Sequence, residues 1–205
     1  MLSVSGIYNK IASDFSARRA YVWKCVKVFL EENKYVSSVI EAGCGNGKNL
    51  ILAKSLGIPC VEGFDNCNEL LEICSKKNLK VFNADITNFR SHRKYDLVLS
   101  IAVIHHLERE EHRINALETL LSLTNLGGKI MITVWSYEKG NSRVQRDFDV
   151  GDNLVSWRNK YMRYYYIYNE KNLHLFINKF LEKHPNVNVS YEWEEQNWIV
   201  YLINN

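Results

Sequence analysis

Val39-Ile40-Glu41-Ala42-Gly43-Cys44-Gly45-Asn46-Gly47-Lys48-Asn49-Leu50 decides how the rest of the chain is read. An apolar run stops at an acid, meets three glycines at alternate positions and gives way to helix formers. That is the order of a strand, a tight turn and a helix whose first amide groups face a ligand.

Working outward, Tyr21 to Glu32 carries apolar residues at Val22, Cys25, Val26, Phe29 and Leu30, the stripe of an amphipathic helix. Tyr35 to Ala42 reads as the first strand and Gly47 to Leu56 as a helix stopped by Gly57. Ile58 to Phe64 is a second strand ending at Asp65, Asn68 to Lys77 a helix, and Leu79 to Ala84 a third strand ending at Asp85. Tyr95 to Ile101 is a fourth strand, Arg109 to Leu123 a long helix, and Gly127-Gly128 turns into a fifth strand, Lys129 to Trp135. Strand and helix therefore alternate from 35 to 135 with short connections, the pattern of an α/β parallel sheet covered by helices on both faces. Right-handed crossovers bring the strand C-termini to one edge, where ligands of such sheets bind.

One domain is expected over residues 1–205. It divides into an N-terminal helical cap (1–34), a ligand-binding core (35–135), a long irregular loop (136–165) and a closing part (166–205). In the closing part Leu173 to Phe180 is helical, and Val187 to Trp193 and Trp198 to Ile203 form a hairpin around Glu195-Gln196-Asn197. Long loops in compact domains are usually functional or disordered.

With 46% hydrophobic and 24% charged residues, 205 residues suffice for a substantial core. The net charge of +3 permits an anionic partner without demanding one. The five cysteines include no Cys-x-x-Cys pair; Cys60, Cys67 and Cys74 recur every seven residues, an apolar rhythm rather than a metal site. No basic-then-apolar leader opens the chain, and no window approaches the ~18 apolar residues of a membrane span. These features lead us to expect reduced thiols, no membrane and a cytoplasmic or nuclear protein.

The glycine spacing excludes two common ligands. A dinucleotide turn has Gly-x-Gly-x-x-Gly, whereas Gly43, Gly45 and Gly47 alternate strictly; a phosphate loop needs Ser or Thr after its lysine, and Lys48 precedes Asn49. Acids end three successive strands. Asp65 suits the two hydroxyls of a ribose, Asp85 an adenine amino group and Glu41 a ligand ammonium. A crevice this acidic repels a pyrophosphate and suits S-adenosyl-L-methionine, which has a sulfonium, an ammonium, a ribose diol and an adenine. The alternative for Asp65 and Asp85 is that they cap the following helices.

Glu41-Ala-Gly-Cys-Gly-Asn-Gly47, followed by Asp65, Ala84-Asp85 and Asp96-Leu-Val-Leu-Ser100, resembles the Rossmann-like class I S-adenosylmethionine-dependent methyltransferases. The resemblance implies a seven-stranded, mostly parallel sheet. It also implies cofactor contacts from Glu41, Gly43, Cys44, Gly45, Gly47, Asp65, Asn66, Asp85, Ile86, Ser100 and Ile101. A second series runs from Tyr8-Asn-Lys-Ile-Ala-Ser-Asp-Phe-Ser16, Arg19 and Trp23 through Ser100-Ile-Ala-Val-Ile-His-His106 and Val134-Trp135. It continues through Ser142-Arg143, Trp157 and Arg163-Tyr-Tyr-Tyr166 to Asn197-Trp198. This series resembles the eukaryotic tRNA wobble-uridine methyltransferases, which esterify the carboxylate of 5-carboxymethyluridine in the anticodon loop. The resemblance implies an RNA substrate and a small zinc-binding activator subunit. Tyr166, Ser156 and Gln196 stand where that family has His, Pro and Asp.

A carboxylate with a pKa near ~4 is already a nucleophile at pH 7. Its methylation needs alignment and a cation on the other oxygen rather than a general base. Arg19 and Arg163 are the expected clamp; His105 and His106, after the fourth strand, face the acceptor base. Trp135 walls the pocket, and Tyr164, Tyr165 and Tyr166 offer stacking platforms for an unpaired nucleotide. Arg143, Arg146, Arg158, Lys160 and Arg163 form a cluster suited to an RNA backbone. His105 and His106 lack further ligands at metal-site spacing. Two other readings remain: a methyltransferase acting on a small carboxylic acid or a protein, and an idle subunit that binds RNA or a partner.

Overall fold

The computed structural model describes residues 3–140 and 147–205. Strand β1, Ser38–Ala42, is buried along its whole length, as a central strand covered on both faces must be. It pairs in parallel with β2 (Cys60–Asp65) on one side and β4 (Tyr95–Ile101) on the other. Beyond β2 lies β3 (Lys80–Asn83); beyond β4 lies β5 (Thr124–Trp135). The hairpin of β8 (Val187–Glu194) and β9 (Asn197–Asn204) completes the sheet, with β9 antiparallel to β5. The seven-stranded order is β3-β2-β1-β4-β5-β9-β8. Glu195 and Gln196, both at positive φ (45° and 60°), make the two-residue turn of that hairpin.

The period of two along the strands sorts the core into two layers. Val39, Leu97, Leu99, Met131 and Ile199 face one side, where they meet Cys25, Val26, Phe29 and Leu30 of α2 (Lys24–Glu32) and Ala53 of α3 (Lys48–Ser55). Ile40, Val98, Ile130, Ile132 and Val200 face the other. There they meet Leu117 and Leu120 of α5 (Glu110–Ser122) and Phe176, Ile177 and Phe180 of α6 (Glu170–Leu181). Helix α4, Asn68–Ser75, joins β2 to β3. The expected core elements are all present. Their ends move by a few residues: Tyr35, 91% exposed, stands outside β1, and β5 begins before its two glycines.

One segment departs from the expectation and another gains an element within it. The N-terminal cap contains, besides α2, helix α1 (Val4–Arg18), capped by the Ser3 hydroxyl, which accepts from the Gly6 N–H at 3.1 Å. Only Ile7, Ile11 and Ala12 of α1 are buried, too short a stripe to stand out in sequence. Residues 136–165 are not one long loop: β6 (Gly151–Trp157) and β7 (Tyr161–Ile167) form an antiparallel hairpin. Its polarity is inverted, with Leu154 and Met162 about half exposed and Arg163 4% exposed, so no alternating pattern shows. No described helix is long and apolar enough to cross a membrane.

Candidate functional site

The C-terminal ends of β1, β2, β4 and β5 open into one cavity, roofed by α1 and walled on one side by β7. Its floor is the glycine turn. Gly43 sits at φ +74°, and a Cβ there would lie 2.4 Å from Val103 Cγ2; Gly47, at φ +75°, would put one 2.3 Å from Leu79 Cδ1. Only glycine fits at either position. Gly43 and Gly45 line the cavity, whereas Gly47 starts α3 and packs against Leu79 and Cys74.

Glu41 closes β1. One carboxylate oxygen accepts from Asn49 Nδ2 at 2.7 Å; the other is buried with no protein partner among the described residues. Burial pushes its carboxyl up to about 8, against the Asn49 hydrogen bond and nearby Lys48. Asp65 closes β2, and its oxygens accept from the N–H groups of Gly45 (2.8 Å) and Cys67 (2.9 Å). Burial raises its pKa too, partly offset by those amides. Asp65 thus ties the glycine turn to the start of α4 and also lines the cavity. Lys48 Nζ donates to the Tyr21 carbonyl at 2.9 Å, so the lysine is already engaged. A buried acid with an unfilled oxygen and an acid at the strand end, over an open glycine turn, fit a donor-rich, cationic ligand such as S-adenosyl-L-methionine.

Cys44, Asn66, Ile86 and Ile101 also line the cavity. Asp85 does not: its carboxylate accepts from both the N–H and the hydroxyl of Thr87, within the turn that follows β3, where no helix starts. Ser100 is fully buried in β4 and is not part of the wall.

The other half of the cavity is aromatic. Arg163, on β7, lies in a box of rings: its Cζ is 4.8 Å from the centroid of Trp157, 5.2 Å from Tyr165 and 5.8 Å from Tyr8. Its Nη1 donates to the Tyr8 hydroxyl at 3.1 Å, and its Nε is buried with no partner among the described residues. No ion pair among the described residues includes it. Tyr165 stacks on Trp135 (4.1 Å, 22°) and on His105 (4.9 Å, 29°). His105 Nδ1 accepts the Trp135 N–H at 3.1 Å. His106 lies between the Tyr8 hydroxyl, 3.0 Å from Nε2, and the Tyr164 carbonyl, 2.8 Å from Nδ1. Burial pulls its pKa down to about 4, leaving a neutral ring near pH 7. Arg19 stands exposed at the rim, over Phe15 at 6.0 Å, and no ion pair among the described residues includes it.

Arg19, Arg163, His105, His106, Trp135 and Tyr165 therefore line one cavity. Tyr164 and Tyr166 do not. The strand period turns them to the opposite face of β7, where Tyr164 bonds Asp152 and Tyr166 stacks under Arg113 at 4.1 Å. The expected basic surface also thins: Arg163 is buried, Arg158 pairs with Asp14 at 3.2 Å, and Arg143 and Arg146 lie outside the described residues. Sequence reasoning missed Tyr8, Phe15 and Asn46, although Tyr8 belongs to a motif that was noticed. Asn46 Nδ2 clasps the end of α1 through the carbonyls of Ser16 (3.3 Å) and Arg19 (3.2 Å). Among the described residues no group of three His, Cys, Asp or Glu is placed to hold a metal.

The chain resembles known proteins at two levels. A tRNA (carboxymethyluridine(34)-5-O)-methyltransferase of Arabidopsis thaliana is 39% identical over 137 residues, 66% of this chain and 33% of that protein. Its counterpart from Schizosaccharomyces pombe is 34% identical over 140 residues, 68% of this chain and 60% of that protein. The chain thus spans about a third of the first relative and three fifths of the second. A crystal structure of an S-adenosylmethionine-dependent methyltransferase from Clostridium acetobutylicum superposes with a TM-score of 0.65 at 17% identity, covering 96% of this chain and 98% of that one. That likeness extends to the fold. Residues 15–183 match the methyltransferase domain family, described as "Methyltransferase domain", and the chain belongs to that family.

Proposed function

We propose that this protein transfers a methyl group from S-adenosyl-L-methionine to the carboxylate of 5-carboxymethyluridine at the wobble position of tRNA, forming the methyl ester. The observation that carries this reading is Arg163, a buried guanidinium that has, among the described residues, no partner for its Nε and no carboxylate counter-ion, boxed by aromatic rings beside the cofactor half of the cavity. A planar base bearing a carboxylate matches both features. The names of the two relatives point the same way.

Held by the glycine turn with Glu41 and Asp65, the cofactor would supply an electrophilic sulfonium methyl to one oxygen of the acceptor carboxylate, a transfer that needs no proton removed. The neighbouring residues suit such a step. His106 is neutral with both ring nitrogens engaged, and the Tyr8 hydrogen is committed to it, so neither is poised to remove a proton. Arg163, with Arg19 at the rim, orients the carboxylate, while Trp135 and Tyr165 wall the base.

The protein is proposed to act in the cytoplasm or nucleus with the small zinc-binding activator subunit that the resemblance implies. Purified protein, with any co-purifying subunit, is incubated with S-adenosyl-L-methionine and tRNA carrying 5-carboxymethyluridine, and nucleosides are read by mass spectrometry. The ester should appear; an unchanged carboxymethyl nucleoside with cofactor bound by calorimetry defeats the substrate assignment. Failure of the complex to bind the cofactor favours an idle subunit. Co-purification without a zinc-containing partner removes the activator.

A further inference from the structure

Helix α1 is held over the cavity at three points. Asn46 holds its end, and Asp14 accepts from the indole N–H of Trp157 at 3.0 Å. Tyr8 reaches to Arg163 and His106. The last of these is the most constrained. An arginine only donates, so the Tyr8 oxygen is the acceptor of the Arg163 Nη1–H bond. The Tyr164 carbonyl only accepts, so His106 carries its proton on Nδ1. Nε2 is then an acceptor, and the single hydroxyl hydrogen of Tyr8 points at it. The Tyr8 hydroxyl thus stands between Arg163 and His106, with the Tyr165 side chain also hydrogen-bonded to it.

We infer that Tyr8 is a positioning residue for the acceptor: its hydroxyl, itself turned toward the Nε2 of His106, fixes the guanidinium of Arg163, and it does so from α1, seated over the cavity. This inference rests on the acceptor reading above. The guanidinium is otherwise held by ring faces, which attract it but leave it free to turn about its own axis. The Tyr8 oxygen is its one hydrogen-bond partner among the described residues. Tyr8 comes from α1, whereas Arg163, His106 and the Tyr164 carbonyl come from the opposite wall. Seating of the helix and orientation of the clamp are therefore one event. A carboxylate entering before α1 closes meets an unoriented cation.

The test is Tyr8→Phe, which keeps the ring that packs on Phe15 (5.2 Å) and removes only the hydroxyl. With tRNA as acceptor, kcat/KM should fall about tenfold, the loss of one hydrogen bond to a charged group. Cofactor affinity should stay within about twofold. Independently of any substrate, the Arg163 guanidinium should turn faster about its Nε–Cζ bond, read by NMR of its Nη hydrogens, because its hydrogen-bond partner among the described residues is gone. The inference is overturned by unchanged guanidinium rotation in Tyr8→Phe, by unchanged kcat/KM, or by an equal loss of cofactor affinity. If the wild-type protein does not methylate 5-carboxymethyluridine, the functional reading fails, and the guanidinium rotation alone decides the role of Tyr8.

Discussion

Replacing Arg163 by Met separates a functional arginine from a structural one, because the two roles predict opposite balances of activity and stability. In the ligand-free protein the guanidinium gains three ring contacts, at 4.8, 5.2 and 5.8 Å, and one hydrogen bond to Tyr8. Ring contacts contribute about 0.5–1 kcal/mol each and the hydrogen bond about 1 kcal/mol, roughly 3 kcal/mol together. Against this stand an unfilled Nε, costing about 1–3 kcal/mol, and the burial of a charge without a counter-ion. The two sides nearly cancel, and methionine fills the same box without a charge. Thermal stability of Arg163→Met should therefore change by no more than about 1 kcal/mol, or roughly 2–4 °C in Tm for a chain of this size. Catalysis should behave differently. A bidentate, charge-assisted contact to the acceptor carboxylate contributes about 3 kcal/mol, so kcat/KM should fall roughly 150-fold. The assay is initial-rate methylation of 5-carboxymethyluridine tRNA with saturating cofactor, alongside calorimetry of cofactor binding and a thermal melt. Retention of kcat/KM within about threefold would refute the clamp. A drop in Tm of more than about 8 °C would refute the energy balance and make Arg163 a structural residue.

Binding of S-adenosyl-L-methionine at pH 7 should release close to one proton, since the Glu41 carboxyl, held at about 8, must ionise to meet a ligand ammonium. Calorimetry in two buffers of different ionisation enthalpy measures it, Glu41→Gln should abolish it, and equal apparent enthalpies in wild type would rule it out. His106 titrates at about 4 in the folded chain and near 6.5 when unfolded, so the unfolded state binds the extra proton between those values. Its contribution is full above about pH 6.5 and is lost as pH falls toward 4, about 3 kcal/mol in all. Glu41 acts with opposite sign between about 4.5 and 8, so the share of His106 is read as the difference between wild type and His106→Asn in urea melts at pH 7.5 and 5. Parallel pH dependence in the two proteins would contradict it. Gly43→Ala places a Cβ against Val103 at positive φ and should cost more than about 2 kcal/mol while weakening cofactor binding; unaltered melting would mean the turn relaxes freely.

The order of strands and helices from 35 to 135 was legible because each element carries a local signal. Buried strands read as β-branched runs, helices as one apolar stripe, and strand ends as an acid or a glycine. The glycine turn, Glu41 and Asp65 were legible for the same reason. The β6–β7 hairpin was not, since its outward residues Leu154 and Met162 are apolar and its inward Arg163 is charged, the reverse of the pattern that marks a strand. Asp85 could be read as a ligand or as a helix cap, and only in space is its carboxylate seen to bond Thr87 in a turn that starts no helix.

By itself, then, the sequence determined the parallel sheet, the glycine turn at the end of β1 and the acidic character of what the turn faces, because periodicity and strand-end chemistry are local along the chain. Tertiary structure alone decided which of the consecutive aromatics on β7 meets the cavity, turning Tyr165 inward and Tyr164 and Tyr166 away. It also brought Tyr8, separated from Arg163 by most of the chain, to the buried guanidinium of Arg163. Such pairings depend on how α1 and β7 pack across the open edge of the sheet, and that packing leaves no periodic trace in either segment.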